Sequence, residues 1–273
     1  MHTVTSKDGT KITYDKSGQG PALILASGAF SYRKFPQLVQ LANLLSANFT
    51  VYNYDRRGRG DSGDTQPYAV EREIEDLEAL IAEAGGSAYV WGLSSGAVLA
   101  LRAAASGLNI AKLALHEPPF VVHPEDRRPP ANFAAHVTQL IAEGRRADAV
   151  KFFMTKVIGA PAFVPYLLRI IPGAWSSLIQ LAHTLPYDAA ILDGHMDGKP
   201  LAAEPWQHVA MPVLVLEGPE SPALLHHAAR DLVRVLPNAR LLSRKGLGHT
   251  KKLAPELIAQ ALTAFFGDGE ANG

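Results

Sequence analysis

Hydrophobic and polar positions along the chain follow two alternating patterns. Five short runs are apolar almost without a break: residues 21–27 (PALILAS), 48–55 (NFTVYNYD), 88–92 (AYVWG), 111–117 (AKLALHE) and 211–218 (MPVLVLEG). Runs of that length with no polar face fit strands buried on both sides, as in a parallel sheet covered by helices. Residues 238–243 (NARLLS) are a weaker strand candidate. Between the runs the period becomes that of a helix. In VEREIEDLEALIAEAGG, Val70, Ile74, Leu77, Leu80, Ile81 and Ala84 share one face, acidic residues crowd the first turns, and Gly85-Gly86 ends the pattern. Residues 96–106, 223–236 and 253–266 read as helices in the same way. Ahead of the first buried run, β-branched segments flank Asp8-Gly9, a hairpin signal.

Strand alternating with helix predicts an α/β fold, a mostly parallel sheet flanked by helices. One interval breaks the rhythm. From Pro119 to about Pro205 no buried strand can be read, while helix-compatible apolar segments alternate with Pro and Gly. The expected organisation is a core domain of residues 1–118 and 206–273, with a helical cap, 119–205, inserted between two sheet strands. A chain of 273 residues has room for one domain carrying such an insertion.

Composition removes several functions. Lys plus Arg and Asp plus Glu number 26 each, so no field of either sign reaches toward polyanions, and nucleic acid is not an expected partner. The absence of cysteine excludes disulfides, thiolate catalysis and Cys-based zinc sites. The opening MHTVTSKDGTK lacks the apolar core of a signal peptide, and the greasiest stretch, APAFVPYLLRIIPGAW, is interrupted by prolines and Arg169. These features lead to the expectation of a cytoplasmic protein without a membrane partner, with homodimerisation left open.

The chemistry-bearing stretch is Gly92-Leu93-Ser94-Ser95-Gly96, which follows the strand AYVW directly and opens the helix AVLALRAAA. A G-x-S-x-G frame between strand and helix is the setting of a nucleophile elbow, a sharp turn whose glycines let backbone approach closely and whose middle serine stands exposed. That serine is Ser94, and the N–H of Ser95 would point into an oxyanion site at a helix N-terminus. The run Gly58-x-Gly60-x-x-Gly63 matches a dinucleotide fingerprint by spacing alone, because Pro67 and Tyr68 intervene before the next helix. His195 and Asp197, in DGHMDGK, have the look of a metal pair but read as a polar turn.

Over nearly its whole length the chain resembles the α/β-hydrolase superfamily. Besides the elbow, YDRRGRGDSG (54–63) is similar to that family's D-x-R-G-x-G-x-S stretch, and KGLGHT (245–250) is similar to its late Gly-rich histidine loop, in matching chain order. The resemblance implies His249 as general base and backbone N–H groups of Ser95 and of Gly28 or Ala29 as oxyanion donors, Ser27-Gly28-Ala29 standing where many members have His-Gly. It also implies an acid that orients the base, usually an Asp after the strand PVLVLEG, but here Ser221 occupies that position.

Glu117, at the C-terminal end of the strand after the elbow helix, lies where catalytic groups collect in open α/β sheets. Haloalkane dehalogenases and zearalenone-type lactonases take their acid from this strand end. The alternatives are Glu220, near the usual place, and a plain surface role for Glu117 before Pro118-Pro119.

The resemblance therefore implies a serine hydrolase acting on a carboxylic ester or lactone through an acyl-enzyme, with no metal or organic cofactor. The segments WGLSSGA and HEPP resemble zearalenone-type lactone hydrolases and suggest macrolactone hydrolysis as a specialisation. The insertion's aromatic residues, among them Phe152 and Trp175, are expected to line a pocket for a small apolar substrate. Lyase, C–C hydrolase or dioxygenase chemistry without a cofactor, or ligand binding with little turnover, are alternatives on the same fold.

Overall fold

The computed structural model describes residues 1–249 and 253–267. Thr250, the last residue of the KGLGHT run, lies outside them. Eight strands form one sheet: β1 (His2–Thr5), β2 (Lys11–Ser17), β3 (Ala22–Ala26), β4 (Thr50–Tyr54), β5 (Ala88–Leu93), β6 (Ile110–His116), β7 (Val213–Glu217) and β8 (Ala239–Ser243). Their order is β1-β2-β4-β3-β5-β6-β7-β8. The pairings β1–β2 and β2–β4 are antiparallel, and all the others are parallel. The expected hairpin is thus the sheet's antiparallel edge. The weak signal of β8 has a physical cause, since it is an edge strand whose residues are exposed or only half-buried.

The continuous apolar runs are explained by alternation across a sheet covered on both faces. Ile24, Ala26, Tyr52, Val90, Leu113, Leu115, Val213 and Val215 enter one cluster, with α2 (Val70–Glu83), α3 (Ser95–Ala105) and α9 (Ala223–Val235) packed there. Their neighbours Leu23, Leu25, Val51, Trp91, Ala114, Leu214 and Leu216 enter the other, under α1 (Pro36–Leu45) and α10 (Pro255–Gly267). Helix α1 was not among the expected elements, although Leu38, Leu41, Ala42 and Leu45 have the helical spacing and are all buried.

Between β6 and β7 the described residues hold no strand. Helices α4 (Phe133–Ala142), α5 (Arg146–Phe152), α6 (Val164–Ile170), α7 (Ala174–Leu181) and α8 (Leu185–Leu192) fill the interval, and α5 runs on into a π-helical turn, Phe153–Ile158. Phe133, Val137, Leu140, Ala149, Val150, Leu185 and Ala189 belong to the same buried cluster as α2 and α3. The segment therefore shares its core with one face of the sheet.

Strand order reverses at β3, which has β4 on one side and β5 on the other. Crevices at the carboxyl edge beside such a reversal are where open α/β sheets bind ligands.

Candidate active site

The loops that hold Ser94, Glu117 and the Gly28-Ala29 pair all leave the sheet at this carboxyl edge. Ser27 follows β3, Ser94 follows β5, Glu117 follows β6 and Gly218 follows β7. The parallel register continues one step beyond the strands, with Ser94 N–H donating to His116 O (2.9 Å) and Glu117 N–H to Leu216 O (3.0 Å).

The elbow is built by close backbone approach. A Cβ on Gly92 would lie 2.5 Å from Gly96 O, and one on Gly96 would lie 2.3 Å from Ala26 O, so neither position admits a side chain while α3 packs this tightly on β5 and β3. Ser94, between them, sits at φ 54° and ψ −124°. Among the described residues only Phe30, Ser94 and Glu117 have positive φ without being glycine, and all three stand at the ends of β3, β5 and β6 or in the loops that follow. Such backbone costs on the order of 1–3 kcal/mol per residue and gathers at functional sites.

The two serines divide. Ser95 is 2% exposed, and its hydroxyl donates to Asp188 Oδ1 at 2.7 Å. Ser94 is half-buried and faces a cavity of about 110 Å³ that His249 and Ala29 also line.

The acid and base meet. Glu117 is 0% exposed, and its Oε2 accepts from both the His249 backbone N–H (2.9 Å) and His249 Nδ1 (2.5 Å), while Oε1 accepts from Gly218 N–H (3.0 Å). Burial alone would push the Glu117 carboxyl up, but the donors from His249 and Gly218 outweigh it and hold the group at about 2. A carboxylate there can only accept, so it is Nδ1 that donates, and in the neutral imidazole the tautomer this selects has its lone pair on Nε2. Glu220 is exposed instead, its Oε1 accepting from Gly246 N–H at 2.8 Å.

The loop after β3 is fixed through its carbonyls. Arg59 Nη1 donates to Gly28 O (2.6 Å), as does Ser31 Oγ (2.8 Å), and Arg56 Nη1 donates to Ser27 O (3.3 Å). In a trans peptide the N–H points opposite to the C=O. Holding Gly28 O on the buried Arg59 therefore aims Ala29 N–H away from that guanidinium, and Ala29 is the member of the pair that lines the cavity.

Both guanidiniums are in turn held by Asp188 of α8, which accepts from Arg56 (2.9 Å) and Arg59 (2.9 and 2.7 Å). Burial would raise the Asp188 carboxyl, but Arg59 and Arg56 hold it below its usual range. Glu73 completes the group with two bonds of 2.7 Å from Arg56.

Sequence reading missed Asp188, for which nothing local signals a role, and treated the arginines of YDRRGRGDSG only as part of a familial stretch. It also missed His116. This side chain is fully buried, and its Nε2 donates to Leu247 O (2.5 Å), tying β6 to the loop that carries His249. Burial, reinforced by the nearby His249, pushes His116 down to about 4.

Neither Phe152 nor Trp175, the expected substrate contacts, is among the residues that line this cavity. The cavity is lined by Phe153, Val157 and Ile158 of the π-helical turn and by Leu192 and Met196. Phe152 lies outside it, edge-on to His136 with ring centroids 4.6 Å apart, because successive helical residues diverge by about 100°. Trp175 is outside the lining too, its ring under the Arg169 guanidinium at 4.7 Å. His195 packs between Phe120 and Trp206. Away from the cavity, His123, Asp126 and His227 bring ligand-type atoms within 4.8 Å of one another, a group able to hold a cation, and His227 Nδ1 bonds Asp126 Oδ1 at 2.9 Å. No helix among the described residues is long and apolar enough to cross a membrane.

Comparison with known proteins agrees with this fold. Residues 23–261 match the family model described as the alpha/beta hydrolase family. An alpha/beta hydrolase from Sphaerobacter thermophilus is 46% identical over 97% of this chain and 100% of its own, with a TM-score of 0.87. An esterase from Rhodococcus sp. (19% identity, 98% of each chain, TM-score 0.70) and the enol-lactonase from Burkholderia xenovorans (19%, 98% of this chain and 100% of that one, 0.65) share the fold alone. An uncharacterised hydrolase of Bacillus subtilis, YraK, is 36% identical over 97 residues, so the chain covers only 35% of that relative's length. A family match spanning the sheet from β3 into α10, on a strand-to-helix elbow folded as that family requires, establishes that the chain belongs to the alpha/beta hydrolase family.

Proposed function

We propose that the protein is a serine hydrolase that cleaves a carboxylic ester or lactone through an acyl-enzyme, with Ser94, His249 and Glu117 as its triad. The observation that carries this reading is the 2.5 Å contact of His249 Nδ1 with the buried Glu117 carboxylate, beside a cavity that both His249 and a serine of positive φ face. Ser94 Oγ attacks the substrate carbonyl while His249 Nε2 takes its proton, and Glu117 stabilises the imidazolium. The tetrahedral oxyanion accepts from Ser95 N–H and Ala29 N–H. Collapse passes the proton from Nε2 to the leaving alkoxide, and water then releases the acyl group by the same steps.

The cavity supports a small substrate. About 110 Å³ is well below the ~300 Å³ at which pockets for drug-sized ligands begin, so the reading favours a compact ester or small lactone over a macrolactone. The helices between β6 and β7 act as its lid, excluding water through the π-helical turn.

A fluorophosphonate should add to Ser94, seen by mass spectrometry of the intact protein and its peptides. Ser94→Ala should abolish both labelling and turnover of para-nitrophenyl esters. Its melting temperature should stay near that of the wild type, since loss of one half-exposed hydroxyl alters stability by only ~0.5 kcal/mol. Labelling at Ser95, or undiminished turnover by Ser94→Ala, would refute the assignment.

A further inference from the structure

The cavity wall carries one permanent charge. Apart from His249, the lining is apolar or serine except for Arg127, which comes from the loop between β6 and α4. Its side chain is anchored, since Nη2 donates to Thr155 O in the π-helical turn. The turn ends at Gly159, with φ 90°, where a Cβ would stand 2.5 Å from Arg127 Nη1. The missing side chain thus leaves room for the guanidinium to lie against the turn. Arg127 is exposed, and among the described residues no carboxylate pairs with it, whereas the buried Arg33, Arg56, Arg57 and Arg59 each have an acidic partner.

A guanidinium has five N–H donors in a planar fork matched to a carboxylate, and here one carbonyl uses only part of that capacity. Fixed at an otherwise apolar pocket, it rewards a substrate that carries an anion away from the reacting carbonyl and leaves a neutral substrate without a partner for it. We infer that Arg127 is a specificity-determining anion clamp, and that the preferred substrate is a carboxylate-bearing ester or lactone whose negative group seats on Arg127 while its carbonyl lies at Ser94. The inference rests on the hydrolase reading above and narrows its substrate class.

Two probe pairs test it. In one, the para-nitrophenyl monoester of adipic acid is compared with its neutral isopropyl-terminated isostere, which places the carboxylate on the acyl side. In the other, carboxylated and neutral aryl esters of one short acid place it on the alcohol side. At low ionic strength the wild type should favour the anionic member of one pair by about 10- to 100-fold in kcat/KM, the range of a charge-assisted hydrogen bond. Added salt should shrink the preference, because Arg127 is exposed to solvent. Arg127→Gln should erase it while keeping turnover of the neutral ester within about threefold, and Arg127→Lys should recover part of it.

Equal rates within both pairs, or an Arg127→Gln variant that loses anionic and neutral turnover alike, would overturn the clamp and leave Arg127 a strut between loop and turn. Calorimetric titration of Ser94→Ala protein with the same esters separates this inference from the hydrolase reading. Selective binding of the anionic ester, lost on adding Arg127→Gln, supports the clamp even if the wild type turns over none of the probes. Indifferent binding overturns it even if every ester is hydrolysed.

Discussion

Replacing Glu117 with glutamine keeps the volume of the side chain and removes its charge, and the surrounding donors determine the effect. Among the described residues the Glu117 carboxylate accepts from the His249 backbone N–H and Nδ1 on Oε2 and from Gly218 N–H on Oε1, with the Ser221 hydroxyl close by. Whichever way the amide is flipped, its NH2 faces one of these N–H donors in a site with no solvent exposure, where the Ser221 hydroxyl is the one of these neighbours that could turn to accept. An unsatisfied buried donor costs about 1–3 kcal/mol, which in a chain of this size lowers the melting temperature by several degrees without unfolding it. The kinetic loss is larger. The imidazole is no longer held with its proton on Nδ1, and the imidazolium loses its counter-charge, so kcat should fall by about 10²- to 10⁴-fold with KM nearly unchanged. Initial rates on a para-nitrophenyl ester, beside thermal unfolding followed by circular dichroism, measure both. Glu220→Gln is the control, and its exposed carboxylate should matter by less than about twofold. The assignment fails if Glu117→Gln keeps more than a tenth of wild-type kcat, or if Glu220→Gln loses as much as Glu117→Gln.

Other perturbations reach the same site and its supports. Asp188→Asn should leave the buried Arg59 without its counter-ion at a cost of about 3 kcal/mol by urea unfolding, and should lower kcat tenfold or more as Ala29 N–H loses its aim; a folded variant with unchanged kcat would refute the link between α8 and the oxyanion donors. Phe153→Leu should alter the ranking of acyl chain lengths, with ~1–3 kcal/mol lost in transition-state binding for the best-fitting one, while Phe152→Leu should leave the ranking intact; equal effects would mean that both rings, or neither, meet the substrate. Acid should destabilise the protein in two stages. His116 and His195, both held at about 4 chiefly by burial against an ordinary 6.5, let the unfolded chain bind protons that the folded chain refuses as pH falls from 6.5 to 4. Glu117, at about 2 against an ordinary 4.5, contributes stability that is complete above 4.5 and lost as pH falls toward 2. Unfolding free energies that stay level from pH 7 to 4 would contradict the first stage.

The sequence determined by itself what depends on neighbours along the chain. Both-face burial requires continuous apolar runs, so β3 to β7 were legible, as were α2 with its Gly85-Gly86 stop and the interval without strands. The elbow was legible for the same reason, because the strand, the two glycines, the serine and the helix are contiguous, and Ser94 could be told from Ser95 by position in the frame. The acid remained a choice between Glu117 and Glu220, since each follows a sheet strand and nothing local shows which carboxylate faces His249. Which carboxylate meets His249 is set by the tertiary structure, which brings Glu117, 132 residues away in the chain, to 2.5 Å from Nδ1. The same limit hid Asp188, whose partners Arg56 and Arg59 lie 132 and 129 residues away, and His116, whose bond to Leu247 spans 131. It also misplaced the pocket wall: composition says that aromatics are plentiful between β6 and β7, but the passage from α5 into the π-helical turn decides that Phe153 faces the cavity and Phe152 does not. Local patterns record the burial of each element, whereas a site is made where the ends of distant elements converge, and that convergence is set by how the sheet and its helices pack.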